Sequence, residues 1–146
     1  MTTAAVTAVL GVSALGGCGS AVDVAAAPSA QVAGCAAAAR EWPGTVSGLE
    51  RGEVPEAATA AAAWGDPAVV ARCGVPAPGP TTAECLEVDG LGWIAAPLTD
   101  GTRFTSFGTE PAVEVLVPRR YAPEPLLLPA FTPAAKALPS NGLRCR

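Results

Sequence analysis

Alternation of apolar and polar positions predicts two strands that each bury one face. Residues 112–117 place three valines on one side of a pleat, and Pro118 ends the segment. Residues 69–73 repeat the pattern and place Cys73 at the end of their apolar side. Because successive side chains of a strand point to opposite faces, both segments are expected to pack one face into a core. The cysteine predicts a covalent link from this strand to another element.

Turn signals join further strands into hairpins. Asp89-Gly90, a dipeptide favoured in two-residue hairpin turns, separates alternating segments at 84–88 and 91–95. A second Asp-Gly at 100–101 leads into another strand at 102–107. Successive hairpins of this kind predict an antiparallel meander.

The sequence before residue 69 predicts secondary structure less clearly. Gly65-Asp66-Pro67 is typical of a turn and favours a hairpin arm over the last residues of 59–64. Alanine propensity leaves a helix over 56–63 as the alternative. Residues 44–55 contain three glycines and predict a loop with at most a short extended piece at 45–47.

Helical segments are expected at both ends of these strands. Ser29 suits an N-cap, and good helix formers fill residues 30–42 before Pro43. Near the other end, Pro129 interrupts a helical pattern between 125 and 138 and predicts a broken or kinked helix. Its apolar residues are expected to cover the sheet: Leu126, Leu127, Leu128, Phe131 and Leu138. The fold class is therefore α+β, a small antiparallel β-sheet meander with an N-terminal helix and a C-terminal helical segment.

The start of the chain is typical of an export signal. Residues 4–15 form an uncharged apolar run, of the length of a signal-peptide hydrophobic region and too short for a comfortable membrane span. The run closes with Leu15-Gly16-Gly17-Cys18, which resembles a bacterial lipobox. We therefore expect a lipoprotein signal peptide at 1–17, lipid attachment at Cys18, a flexible tether at 18–33 and a single domain at 34–146. This places the domain on the outer face of the cytoplasmic membrane.

Two alternatives to lipidation stay open. One is an uncleaved membrane anchor, although Asp23 interrupts the apolar run early. The other is cleavage near residues 25–27, which would release a secreted protein. No Lys or Arg precedes the apolar run, and this departure from the signal pattern is consistent with Met1 being an internal start.

Composition narrows the classes of function. The net charge is -4 and no basic run occurs, so nucleic acid is not an expected partner. The absence of histidine removes the commonest general base and the commonest metal ligand. Five cysteines in 146 residues favour an oxidising compartment. The cysteines lack the close spacing of a zinc knuckle, and we expect no metal and no cofactor.

Carboxylates are the remaining candidates for catalysis. Most of them lie at predicted turns or strand ends, where a solvated carboxylate is the ordinary interpretation. These candidates are Glu84, Glu87, Asp89, Asp100, Glu110 and Glu114. A nucleophilic Ser or Cys would lack a histidine base. We expect no catalytic residue, and a carboxylate-dependent hydrolase of cell-wall material is the alternative.

Aromatic residues raise the question of a binding surface. Trp64, Trp93, Phe104 and Phe107 are interpreted as the bulky members of an alanine-rich core, with an aromatic binding surface as the alternative. A carrier of a small apolar ligand would need an internal pocket. Arg119-Arg120-Tyr121 is a weak candidate for lipid headgroups, because stable electrostatic docking takes a larger basic cluster.

Several short sequence motifs along the chain resemble those of a known family. Besides Cys35 on a short helix, they are Trp64-Gly65-Asp66-Pro67, Arg72-Cys73-Gly74-Val75-Pro76, Val88-Asp89-Gly90-Leu91-Gly92-Trp93, Phe104-Thr105, Pro111-Ala112-Val113-Glu114-Val115 and Val117-Pro118. In this order they resemble an uncharacterised family of actinobacterial envelope proteins, the domain of unknown function 3515, over about 35–138. The resemblance implies an exported, membrane-attached protein with no established activity. We therefore expect a non-catalytic envelope lipoprotein, an interaction or accessory module whose partner is unknown.

The four cysteines after Cys18 allow three disulfide pairings. If the helix that carries Cys35 packs on the apolar face of 69–73, its sulfur meets that of Cys73, and the resemblance implies the same pair. Cys85 and Cys145 are then left to each other. The local alternative, Cys73–Cys85, closes the shortest loop across a proline-rich connection.

Overall fold

One antiparallel sheet of eight strands forms the centre of the protein. The structure is a computed structural model and is described for residues 21–146. The strands run in chain order as β1 Thr45–Val46, β2 Leu49–Gly52, β3 Ala61–Trp64, β4 Val69–Val75, β5 Cys85–Val88, β6 Leu91–Pro97, β7 Gly101–Phe107 and β8 Ala112–Pro118. The helices are α1 Ala33–Arg40, 3₁₀ turns at Arg119–Tyr121 and Glu124–Ala130, and α2 Thr132–Lys136. The predicted α+β class with an antiparallel sheet is confirmed.

The order of the strands differs from one continuous meander. In space they run β1-β2-β3-β4-β8-β7-β6-β5, so two meanders meet where β4 pairs with β8. The predicted hairpins are present, including the turn at Asp89-Gly90, where both residues have positive φ. The proline-rich segment at 76–84 carries the chain from the centre of the sheet to its far edge. The two most apolar strands thereby become neighbours in the middle, where the helices cover one of their faces and other chain covers part of the second.

One face of the sheet holds the main core. The register aligns Ala71, Val115 and Phe104 in one row across β4, β8 and β7, and all three are almost fully buried. α1, the second 3₁₀ turn and α2 cover this face. Phe131 meets Trp64 edge-on, with the ring centroids 5.3 Å apart. The C-terminal segment therefore covers the sheet as predicted.

The opposite face of the sheet is partly covered by the chain before α1. Val24 packs with Ala58 and Ala61, and Ala27 packs with Val75 and Ala112. A flexible tether is predicted over 18–33, but within the described part of this range residues 22–30 lie against the domain. The small side chains of this segment fit the shallow surface left by an alanine-rich sheet.

Two further boundaries differ from the prediction. α1 begins at Ala33 and not at 30, because the backbone N–H of Ser29 donates to the carbonyl of Gly74 and Val32 takes the N-cap position. The predicted loop at 44–55 contains the β1–β2 hairpin. Its turn residues Ser47 and Gly48 have φ values of 49° and 80°, as a two-residue hairpin turn requires.

The C-terminal segment is broken in the way its prolines predict. Pro129 lies inside the second 3₁₀ turn, and α2 starts only after it. Leu127, Leu128 and Phe131 are buried against the sheet. The prediction is wrong for Leu126, which is 70% exposed, because the tight 3₁₀ turn directs it away from its buried neighbours.

Candidate functional site

The first disulfide fastens the N-terminal helix to the middle of the sheet. Cys35 of α1 and Cys73 of β4 are bonded, with their Cα atoms 5.4 Å apart, and both residues are completely buried. Cys73 shares the buried face of β4 with Val69 and Ala71. This is the pair that the packing argument and the resemblance predict, and the Cys73–Cys85 alternative is wrong.

The second disulfide lies at the edge of the molecule. Cys85 of β5 is bonded to Cys145 of the C-terminal tail, and both residues are half-buried. The bond lines an open cleft of about 630 Å³ between the tail and the loop at 80–83. Arg144 and Arg146 also line this cleft. The second disulfide is therefore reachable from solvent, whereas the first is enclosed.

The candidate carboxylates fall into two groups. Glu114 is buried in the middle of β8, on the face opposite the main core, and its carboxylate accepts a hydrogen bond of 2.7 Å from Nε of Arg72. Nε of Arg103 lies 4.0 Å from its other oxygen. The exposed group contains Glu84, Glu87, Asp89, Asp100 and Glu110. The one buried candidate is thus neutralised by arginines on both neighbouring strands.

The aromatic candidates belong to the interior. Trp64, Trp93 and Phe104 are almost fully buried in the main core, and the indole N–H of Trp64 donates to the carbonyl of Pro43. Phe107 is also buried, although its edge reaches the cleft beside the second disulfide. The interpretation of these residues as core members is confirmed, and they do not form an aromatic surface.

The basic segment after β8 makes contacts within the domain. The backbone N–H of Arg119 donates to the carbonyl of Asp100, and its guanidinium donates to Thr99. The hydroxyl of Tyr121 donates to the carbonyl of Pro67 at 2.7 Å. Two of the three residues therefore have a structural role, in which they contact the β6–β7 and β3–β4 turns.

The most informative geometry is the attachment of the N-terminal segment. The backbone N–H of Val22 donates to the carbonyl of Glu53, just after β2, and the bond is 2.9 Å long. Farther along, Arg72 donates to the carbonyl of Ala25, and Ser29 donates to Gly74. Hydrogen bonds therefore hold the segment at its beginning, its middle and its end.

Sequence reasoning missed this attachment for an identifiable reason. The composition of 21–33, rich in Ala with Pro and Ser, is shared by linkers and by chain that packs on a flat surface. The one sequence feature linked to this attachment is the glycine at position 74. In the structure its φ is +106°, and Ser29 and Ala30 approach so closely that no side chain would fit. Cys18, the predicted lipid attachment site, lies outside the described residues.

Two features are absent from residues 21–146, a metal-binding cluster and a membrane-spanning helix. Within 21–146, no group of three His, Cys, Asp or Glu residues is placed to hold a metal ion. In the same part of the chain, no helix has the length and apolar character needed to cross a membrane.

The comparison with known proteins gives one family. The model of a family described as a protein of unknown function, DUF3515, matches residues 1–140, which is nearly the whole chain. No curated protein and no solved structure matches the chain.

Proposed function

We propose that this chain, which belongs to the DUF3515 family of proteins of unknown function, is an exported lipoprotein that acts as a non-catalytic module of the cell envelope. Its signal peptide would be residues 1–17, and a diacylglycerol on Cys18 would hold the domain at the outer face of the cytoplasmic membrane. The resemblance seen in the sequence adds an actinobacterial envelope as the expected setting.

The pairing of the cysteines is the observation that carries this proposal. The four cysteines of the described domain form two disulfides, which persist in oxidising compartments and are rare in the cytosol. The sequence holds one more cysteine, Cys18, directly after the small residues that end the apolar run. An export signal, structural disulfides and a cysteine at the position of a lipobox all favour the same location.

The environment of Glu114 supports a non-catalytic role. A glycosidase of the usual kind needs one carboxyl group that gives up a proton and a second one that acts as base or nucleophile. The charged partners of Glu114 are Arg72 and Arg103, so its carboxylate is held in an ion pair within the sheet. The other candidates are exposed to solvent, where ordinary carboxylates lie.

Lipidation is tested by following the protein in membranes. The chain is expressed from its own chromosomal context as the wild type, as Cys18→Ser and as the matched control Ser20→Ala. We expect the wild type and the control to sediment with membranes and to carry a diacylglycerol in their intact mass. Cys18→Ser is expected in the soluble fraction, and its unchanged retention would favour an uncleaved anchor instead.

The absence of catalysis is tested separately with the purified domain. We expect no turnover of cell-wall glycan or peptide substrates. Turnover that is lost in Glu114→Gln, while the variant keeps both disulfides and its circular dichroism spectrum, would overturn this part of the proposal.

A further inference from the structure

We propose that the lipid anchor holds this domain directly against the bilayer, with the β1–β2 edge of the sheet next to the membrane and the cleft beside Cys85–Cys145 on the far side. This inference rests on the proposed lipidation of Cys18. It goes beyond it, because it names the surface that meets lipid and the surface that remains open to other partners.

The chain between Cys18 and Val22, here called the lead, limits how far the domain can lie from the lipid. The domain fixes the chain at Val22 through the hydrogen bond to Glu53. Four residue steps separate Cys18 from Val22, and a fully extended chain spans at most about 14 Å over that number of steps. A folded chain of this size has a radius of gyration of about 14 Å and is some 35 Å across. The lead is therefore too short to lift the domain clear of the membrane surface.

The lead is short because the N-terminal segment from Val22 onward is held on the domain. If residues 18–33 were free, the same chain would reach up to about 50 Å from the lipid. The structure removes most of this reach, because Val24 and Ala27 are buried and the carbonyl of Ala25 accepts a hydrogen bond from Arg72. What the sequence predicts as a tether is for the most part a component of the folded domain.

The order of the strands gives the orientation. Val22 is attached just after β2, near one edge of the sheet, while β5 forms the opposite edge. Six strand spacings separate β2 from β5, which corresponds to about 29 Å. The cleft lined by Cys85 and Cys145 is adjacent to β5. A sheet held by the β2 edge therefore presents this cleft away from the lipid.

Charge does not contribute to this apposition. The exposed charged residues near the attachment point are Asp23, Glu50, Arg51, Glu53 and Glu56, of which four are acidic. Such a surface has no attraction for anionic headgroups. The lipid and the short lead alone hold the domain, so the orientation is expected to be insensitive to salt.

The experiment measures the distance from two positions on the domain to a lipid surface. Full-length lipidated protein is reconstituted into phosphatidylcholine vesicles that carry an acceptor dye on their headgroups. A donor dye is attached through a non-canonical amino acid at position 56 or, in a second preparation, at position 87, so that no new cysteine disturbs the disulfides. We expect energy transfer from position 56 to be at least about threefold greater than from position 87, given the width of the sheet between them.

Two matched insertions distinguish the lead from the fold. A flexible Gly-Ser linker of about 15 residues between Ser20 and Ala21 lengthens the lead to the radius of the domain or more, and we expect the difference between the two positions to collapse. The same linker after Gly79, in an exposed loop, leaves the lead unchanged and is expected to preserve the difference. Equal transfer from both positions without any insertion would overturn the proposal.

The outcome is separable from that of the proposed function. A protein without the diacylglycerol mass, or one that does not remain with the vesicles, contradicts the lipidation itself. A lipidated, vesicle-bound protein with equal transfer from both positions contradicts only the orientation. Loss of the difference at high salt would also overturn the proposal, because it would assign the orientation to charge and not to the short lead.

Discussion

At the scale of single residues, the least expected feature is a buried carboxylate in the middle of the sheet. Glu114 is 6% exposed, and β4 and β7 bring Arg72 and Arg103 to it from either side. Burial of a charge is costly unless it is paired and hydrogen-bonded. The ion pair also lies beneath the N-terminal segment, since Arg72 donates to Ala25. Glu114 therefore orients the arginine that holds this segment.

Replacement of Glu114 by glutamine tests this role. The side chain keeps its shape but loses its charge, and the guanidinium of Arg72 is left without its counter-ion. We expect the free energy of unfolding to fall by about 1–3 kcal/mol, below the cost of breaking a fully buried pair because Arg72 is partly exposed. Urea denaturation at neutral pH measures the change, with exposed Glu110→Gln as the control. Equal effects of the two substitutions would contradict the argument.

Gly74 is a second residue whose identity is fixed by the N-terminal segment. It forms an irregularity in β4, where the register to β8 shifts, and its φ is +106°. A Cβ atom at this position would lie 2.5 Å from the backbone nitrogen of Ala30. Any side chain would therefore push the segment off the sheet.

We expect Gly74→Ala to loosen the N-terminal segment and to lower the free energy of unfolding by more than about 1 kcal/mol. Limited proteolysis should cut between residues 21 and 32 faster than in the wild type. Gly79→Ala is the matched control, because a Cβ at Gly79 meets nothing within 4 Å. Unchanged proteolysis in Gly74→Ala would show that the segment is not held there.

At the scale of elements, local signals predict the strands that carry them. The valine alternation at 112–117 and the Asp89-Gly90 turn give β8 and the β5–β6 hairpin almost residue for residue, because strand and turn geometry depend on neighbouring side chains. β2 was missed because its sequence, Leu-Glu-Arg-Gly, has no apolar alternation. It lies one strand from the edge of the sheet, and most of its side chains stay in solvent.

Contacts between distant segments could be predicted from the sequence only where both segments contain a cysteine. The cysteines marked α1 against β4, and the tail against β5, so both disulfides could be predicted. No residue type marked the pairing of β4 with β8, or the packing of 22–30 on the sheet. The alanines and valines at these contacts can be buried against many apolar surfaces, so their presence does not specify a partner. The attachment that places the domain relative to Cys18 therefore became visible only in three dimensions.

The two disulfides are expected to differ in their response to reductants. Cys35 and Cys73 are fully enclosed, whereas Cys85 and Cys145 are half-exposed in an open cleft. Thiol–disulfide exchange requires a thiolate to reach a sulfur atom, so access determines the order. We expect dithiothreitol in native buffer to reduce Cys85–Cys145 first, as shown by alkylation of these two cysteines alone in peptide mapping.

The control for this order is the same reaction in denaturant, where both bonds should be reduced at similar rates. Each bond closes a loop of several tens of residues, worth about 4 kcal/mol in the chain-entropy model. Reduction of Cys85–Cys145 alone should therefore lower the denaturation midpoint without unfolding the domain at room temperature. First labelling of Cys35 and Cys73 would contradict the enclosure of that bond.

At the scale of the whole molecule, β4 is the strand on which the layers converge. Its helix-covered face is bonded to α1 through Cys73, and its other face touches the N-terminal segment through Arg72 and Gly74. β3 and β8 pair with its two edges, so that it joins the two meanders. The N-terminal segment, the first disulfide and the two meanders thus meet at one strand.

This convergence predicts where the molecule opens last. Amide hydrogen exchange reports local opening free energies that range from near zero at exposed edges to the full unfolding free energy in the core. We expect the slowest exchange in β4 and β8, the two central strands, and the fastest in β1 and β5, which each have a partner on one edge only. Exchange measured by mass spectrometry with the disulfides intact, followed by reduction and digestion, resolves these strands. Amide exchange in β5 as slow as that in β4 would contradict this prediction. It would mean that the Cys85–Cys145 edge, and not the central position of β4, determines which part of the sheet opens last.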